Sequence, residues 1–306
     1  VANEAIELYK PWDEKKVQFP GSVSEKLDGV PMRLRNLHGH VYGYSRQNES
    51  ITSVPHITVY GSSILMPGGS ITGELYIRGM PFKDISGLVR KKLASKGSQD
   101  LVMYVHDADL RGKPDMPYIE RMNEAAGVLR ALAKHRGCGV DDLPIRMIPR
   151  VPAANVEAVH AAFEAIMLAN PKSEGAVYHT DDKPYAPGLR RWVGMKLKPV
   201  EDIDAYVVGF EEAHDQFGHP KDMVGTVILE MNELQGGTVV QVPRNVGPGK
   251  MTAAERKLYW AQFKQGKWKP RMAQIHAMPD DSYEGLREGR WQRWRDDKSD
   301  PTVRGK

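Results

Sequence analysis

Short runs in which apolar and polar residues alternate recur through the first two-thirds of the chain: SVSEKL, PMRLRNL, HVYGYS, SITGELYI, LVMYVHDADL, EGAVYH and WVGMKLK. A period of two puts every second side chain on one face, so each run reads as a strand with one face buried. Two stretches follow a helical period instead, residues 118–135 and VEAVHAAFEAIML at 156–168. In the second, Val156, Val159, Phe163, Ile166 and Met167 share a face, which predicts a helix laid on a sheet.

Past Pro199 the pattern changes. AYVVGFEEA, MVGTVILEM, TVVQVP and RMAQIHAM alternate and are joined by short turns. One helix interrupts them, opened by Thr252 and Glu255 at capping-box spacing, where each side chain satisfies the other's backbone N–H. The expected fold is therefore α+β in two domains, residues 1–199 and 200–306. Several short strands around a single helix predict a small oligonucleotide-binding (OB-fold) β-barrel for the second.

Composition narrows the class. The chain has 306 residues, 41% hydrophobic and 27% charged, as in a globular protein. No run approaches the length of a membrane-spanning helix. The stretch VANEAIELYKPW has neither a basic nor an apolar region, which predicts no secretory signal and a cytoplasmic location. Cys138 is the single cysteine, so neither an intrachain disulfide nor a cysteine-clustered zinc site can form. A net charge of +4 conceals a sharp asymmetry. Residues 201–233 carry nine acids against Lys221, whereas residues 244–271 carry eight basic residues against Glu255. Arg244, Lys250, Lys264, Lys267, Lys269 and Arg271 in that segment form a candidate polyanion-binding surface, with a plain solvated face as the alternative.

The candidate chemistry begins at SEKLDGV. Lys26 lies between Glu25 and Asp28, and alone it reads equally well as the end of a strand before an Asp-Gly turn. Glu74 in ITGELYI and Glu174 in SEGAVYH are each as ordinary alone. Lys196 and Lys198 stand at i, i+2, so both ammonium groups leave one face of a strand, a spacing that suits phosphate oxygens. Together these pieces describe a nucleotidyl-transfer site. A lysine attacks the α-phosphate of a nucleotide, carboxylates hold Mg²⁺, and the lysine pair stabilises the pentavalent transition state.

In this order the motifs resemble those of ATP-dependent DNA ligases, in particular the short bacteriophage type, over nearly the whole chain. EKLDG resembles the nucleophile motif, which makes Lys26 the adenylated residue. YSRQN resembles the next motif, with Arg46 on the 5′-phosphate side of the site and so at both nucleotide and DNA. TGELYIRGMPFKDISGLVRKK resembles the Gly-Glu-Leu element and puts Glu74 at the ribose and metal. MYVHDADL resembles the strand whose ring stacks on adenine, here His106 or, two residues earlier on the same face, Tyr104. SEGAVYH supplies the second metal ligand, Glu174, and GMKLKP supplies Lys196 and Lys198. DIDAYVVGF resembles the start of the family's OB domain. REGRWQRWRDDKSD resembles the last motif, with Arg295, Asp297 and Lys298 closing over the ATP pyrophosphate.

The chain departs from the family pattern at several points. Where the family has a glutamate on the adenine side, two residues before the lysine, this chain has Ser24 followed by Glu25. The arginine usual five residues after the lysine is Pro31, and Arg33 stands two positions on. The tryptophan expected just before the lysine pair is displaced to Trp192.

The resemblance implies an ATP-grasp-like nucleotidyltransferase (adenylation) domain of antiparallel sheets and helices, followed by the OB barrel, with residues 196–204 as a hinge. It implies ATP and Mg²⁺ as cofactors, with Mn²⁺ able to substitute, and nicked duplex DNA as partner. It further implies a monomer without membrane attachment, in the host cytoplasm if the chain is of phage origin. Two alternatives stay open: an RNA ligase or mRNA-capping guanylyltransferase, which keep the chemistry, and a non-catalytic OB-fold DNA-binding protein, which does not need Lys26, Glu74 or Glu174.

Overall fold

The computed structural model describes residues 6–113, 115–278 and 285–305. Of the N-terminal stretch read for a signal, the first five residues lie outside that range. The chain divides into two compact units, Val1–Leu197 and Lys198–Lys306. No helix among the described residues is long and apolar enough to cross a membrane.

The first unit is built on two sheets. In one, the strand Gly21–Glu25 sits between Ala176–Thr180 and Arg150–Ala153, and Arg190–Leu197 and Leu8–Pro11 extend the far side. The helix Val156–Ala169 covers this sheet. Its N-cap Asn155 accepts the Ala158 amide at 2.9 Å, satisfying one of the donors a helix start leaves open. Val159 and Ala162 of the helix pack on Val23, Tyr178 and Met195.

The other sheet runs in the order His40–Ser45, Val30–Leu37, Ser70–Tyr76, Val102–Asp109 and Ile145–Met147. Helices Pro55–Ser62, Phe82–Val89 and Tyr118–Arg136 bury its apolar face around Met32, Leu34, Ile57, Leu75, Ile85, Met103, Met122 and Leu129. The longest of these helices ends at Gly137, whose left-handed φ of 68° lets the chain turn away without a Cβ clash. Arg121 is locked beneath the sheet, donating to both carboxylate oxygens of Asp107 at 3.0 Å. Burial pushes the Asp107 carboxyl up to about 6, and the guanidinium opposes that rise. The pair fixes the strand that carries His106 to the helix behind it.

The second unit corrects one expectation. The four strands read from its alternation are present, two more follow them at Arg287–Trp294 and Val303–Gly305, and the helix Ala253–Lys264 is capped by the reciprocal Thr252 and Glu255 bonds. They do not form an OB-fold β-barrel. The sheet runs in the order Thr238–Val246, Pro220–Gln235, Glu201–His214, Arg271–Met278 and Arg287–Trp294, with Val303–Gly305 added in parallel on the second of these. Among the described residues the two edge strands are joined by no ladder; the Gly247–Arg290 bridge is isolated. Closing a barrel requires continuous pairing of first and last strands, so this sheet is open. Its core gathers Ile203, Val207, Phe210, Val227, Leu229, Ile275 and Trp291. Tyr259 and Phe263 of the helix pack on Phe210.

Candidate active site

Lys26 follows directly on the strand Gly21–Glu25, and its amide is held by the Gly175 carbonyl at 2.8 Å. Its ammonium contacts the Glu174 carboxylate. The Asp-Gly after it now has a physical reason. A Cβ on Gly29 would collide with the Leu75 carbonyl and come within 2.9 Å of Glu74 Cγ. Only glycine lets the turn after Lys26 press against the strand that carries Glu74.

Lys26 and Glu174 line a pocket of about 330 Å³ within the first unit. Ser24, Glu25, Arg46, Glu74, His106 and Lys196 line it too, so eight of the residues singled out in the sequence converge from seven separate elements or turns. Ser24 is buried, and Glu25 accepts from Asn170 Nδ2 at 2.7 Å with Arg78 near its other oxygen. Arg46 is exposed, in the turn after His40–Ser45 that Ser45 Oγ ties by accepting the Gln47 and Glu49 amides.

Electrostatics mark Glu74. Loss of solvent pushes its carboxyl up to about 8; the Lys26 ammonium opposes the rise, and the Glu174 and Asp28 carboxylates reinforce it. Carboxylates crowded in this way favour a bound cation. Among the described residues no cluster of three or more metal-binding side chains exists. A pair of carboxylates suits Mg²⁺, which is commonly held by one or two protein oxygens together with substrate phosphates. The residues present therefore fit that ion.

Other sequence candidates lie elsewhere. Arg33 is buried, donating to Ser70 Oγ at 3.1 Å with its guanidinium over the Tyr185 ring, and it does not line the pocket. Lys198 opens the second unit, where its ammonium meets Glu288 at 2.6 Å and Met278 Sδ at 3.7 Å. Trp192 lies under the Lys10 ammonium. Arg295 and Lys298 both reach Asp204, at 3.1 and 2.6 Å, and Arg295 also holds Asp297 at 2.8 Å. In the basic segment, Arg244 pairs with the buried Glu233, Lys264 with Asp222 and Arg271 with Asp296. Lys250, Lys267 and Lys269 are exposed.

The pocket also contains residues that the sequence reading passed over, among them Glu7, Tyr9, Phe82, Ile148 and Arg190. Glu7 is buried, accepting from the Ala186 amide and the Arg191 guanidinium at 3.1 Å. Burial raises its carboxyl above the usual range, against both partners. Tyr9 lies in the four-residue strand LYKP, too short for an alternation to register, and Glu7 stands just before it.

Searches with protein-family models find no match for this chain. Among curated proteins it is similar to a probable DNA ligase of Streptomyces avermitilis, 29% identical over 208 residues, which is 63% of this chain and 38% of that relative. A DNA ligase of Methanocorpusculum labreanum is 24% identical over 73% of this chain and 39% of its own length. The chain thus spans about two-fifths of the length of these relatives. Of solved structures, a Lig E DNA ligase superposes with a TM-score of 0.68 at 20% identity, covering 95% of this chain and 99% of the other. The chain has the fold of these DNA ligases. The ATP complex of the bacteriophage T7 ATP-dependent DNA ligase also superposes, with a TM-score of 0.54 at 14% identity over 95% and 99% of the two chains. The Lig E and the phage enzyme share this fold, so it does not single out a phage subtype.

Proposed function

We propose that this protein is an ATP-dependent DNA ligase that seals 5′-phosphate/3′-hydroxyl nicks in duplex DNA through a lysine–AMP intermediate. The observation that carries the reading is the pocket in which Lys26, Glu74, Glu174, Lys196, Arg46 and His106 converge. The DNA-ligase-like fold supports it. In the first step the neutral Lys26 amine forms a bond to the α-phosphorus of ATP, the bond to the β-phosphate oxygen breaks, and pyrophosphate leaves. Lys26 releases one proton to solvent before the attack and a second afterwards. Mg²⁺, held between Glu74 and Glu174, would neutralise phosphate charge. Lys196, which lines the pocket, would face the equatorial oxygens, where charge develops, and Lys198 would have to leave Glu288 to join it. AMP then passes to the 5′-phosphate at the nick, and the 3′-hydroxyl displaces it. Incubation with ATP, Mg²⁺ and a nicked duplex tests the reading: a sealed strand supports it, and capping of a 5′-diphosphate RNA from GTP instead favours the guanylyltransferase alternative.

Arg295, Asp297 and Lys298 would orient pyrophosphate in the first step alone, and Asp204, which grips both cations, would set their geometry. Lys298→Ala is expected to slow Lys26 adenylation about 10-fold or more while sealing a pre-adenylated nick at close to the normal rate, because a donor helps only where it faces developing charge. Normal adenylation combined with failure at the pre-adenylated nick would make the tail a DNA contact.

In the basic segment, the exposed Lys250, Lys267 and Lys269 are the expected phosphate contacts. Changing all three to Glu should weaken binding of nicked duplex. It should also flatten the log–log salt dependence by roughly 0.9 for each lost phosphate contact. Adenylation in the same variant should stay near normal, and equal damage to both steps would assign the segment to the fold.

A further inference from the structure

Behind His106 lies a closed group of four rings. Tyr9 and His106 share a hydrogen bond, Tyr9 Oη to His106 Nδ1, at 2.8 Å. Tyr9 meets His179 edge-on at 4.8 Å, His179 stacks on Tyr118 at 4.5 Å, and Tyr118 Oη returns to the His106 carbonyl at 3.1 Å. Burial, with the Lys26 charge nearby, drives the His106 imidazole down to about 4, so the ring is neutral near pH 7. Burial likewise drives His179 well below its ordinary value and lifts the Tyr9 phenol well above its own. Both groups are neutral near pH 7, so the tautomer of His106 sets which of them donates in the 2.8 Å bond. With the phenol donating to Nδ1, Nε2 carries the single ring proton.

The strand pairing explains how Tyr9 reaches His106. Tyr9 lies on Leu8–Pro11, paired in parallel with Arg190–Leu197, while His106 lies on Val102–Asp109 of the other sheet of the same unit. Gly194 supplies the seat. A Cβ there would collide with Tyr9 Cδ1 and come within 3.3 Å of His179 Nε2.

We propose that Tyr9 is a positioning residue for nucleotide binding, its hydroxyl and its seat on Gly194 holding the His106 imidazole in one plane and one tautomer as the platform for the purine base. The proposal rests on the reading of the pocket as an ATP site. It adds a residue from outside the nucleotidyl-transfer motifs and accounts for a glycine inside WVGMKLK. An oriented neutral ring presents a flat face to a base without the entropy of an imidazole free to rotate or exchange tautomers. Losing a buried hydrogen bond of this kind corresponds to roughly a 3- to 10-fold change in an equilibrium constant.

Two measurements test it. The first compares wild type, Tyr9→Phe and Gly194→Ala in initial-rate labelling of the protein by ATP. Both variants are expected to raise KM for ATP about 3- to 10-fold while kcat stays within about twofold. An unchanged KM in Tyr9→Phe, or a fall in kcat with KM unchanged and a lowered Tm, would overturn the proposal. The second needs no activity: ¹⁵N NMR of the His106 side chain in the ATP-free protein. Wild type should show the Nε2–H tautomer, and Tyr9→Phe a mixture. A mixed tautomer in wild type, or no change in the variant, overturns the proposal. A wild-type protein with the expected tautomer that takes no label from ATP would instead overturn the reading of the pocket as an ATP site, and with it the base-platform role.

Discussion

Lys26→Ala is expected to abolish covalent labelling by ATP and to reduce nick sealing to background, while the protein keeps its fold. Lys26 lies just beyond a strand end with its ammonium in the pocket, so truncation removes one partly buried ion pair and no core packing. Labelling nevertheless needs a nitrogen lone pair at that position, and the truncation removes it. Lys26→Arg should fail as completely, because a guanidinium stays protonated and offers no lone pair. Thermal unfolding of both variants within a few degrees of wild type would separate loss of chemistry from loss of structure. Label retained by Lys26→Ala would remove Lys26 from the centre of the account.

The second large effect belongs to Glu174. Its carboxylate is mostly buried and touches the Lys26 ammonium, and Glu74, with its raised carboxyl, lies within electrostatic reach. Glu174→Gln keeps size and shape and removes one negative charge from beside Lys26. Adenylation is expected to fall on the order of 10²-fold. Partial recovery should come with Mn²⁺, which binds this type of oxygen and nitrogen donor set more tightly than Mg²⁺ does. The check is a metal titration of initial labelling rate. The apparent affinity for Mg²⁺ should weaken in the variant, and an unchanged metal dependence would take Glu174 out of any metal site.

Alternation was enough to find the strands that line the candidate site. SVSEKL, SITGELYI, LVMYVHDADL, EGAVYH and WVGMKLK all contain strands, although burial follows the alternation along most of Val102–Asp109 and not along Ala176–Thr180, which is buried throughout. It was not enough to say how a sheet ends. In the second unit the strands exist, yet whether the first and last meet depends on twist and on bulges. The register shifts along Glu201–His214 are of that kind, and a period of two carries no trace of them. Short elements were lost for a different reason. Leu8–Pro11 is four residues long, and Pro55–Ser62 and Phe82–Val89 make only two turns each. Tertiary packing, rather than local pattern, stabilises pieces of that length. Motif order brought Lys26, Glu74, Glu174 and Lys196 together in advance of the structure. Arg33 shows the limit of strand parity. It shares the alternation of Pro31, which lines the pocket, but two residues further along its guanidinium is bound to Ser70 and Tyr185.

The central claim is that Lys26 takes up a nucleotide covalently, and the most direct measurement is the intact mass of the protein after incubation with ATP and Mg²⁺. The account predicts a single added adenylate that is stable to denaturation and labile in mild acid, as a phosphorus–nitrogen bond should be. Peptide mapping should locate it at Lys26, and pyrophosphate should remove it. An unmodified mass with ATP, or an adduct mapped to any other residue, would contradict the account.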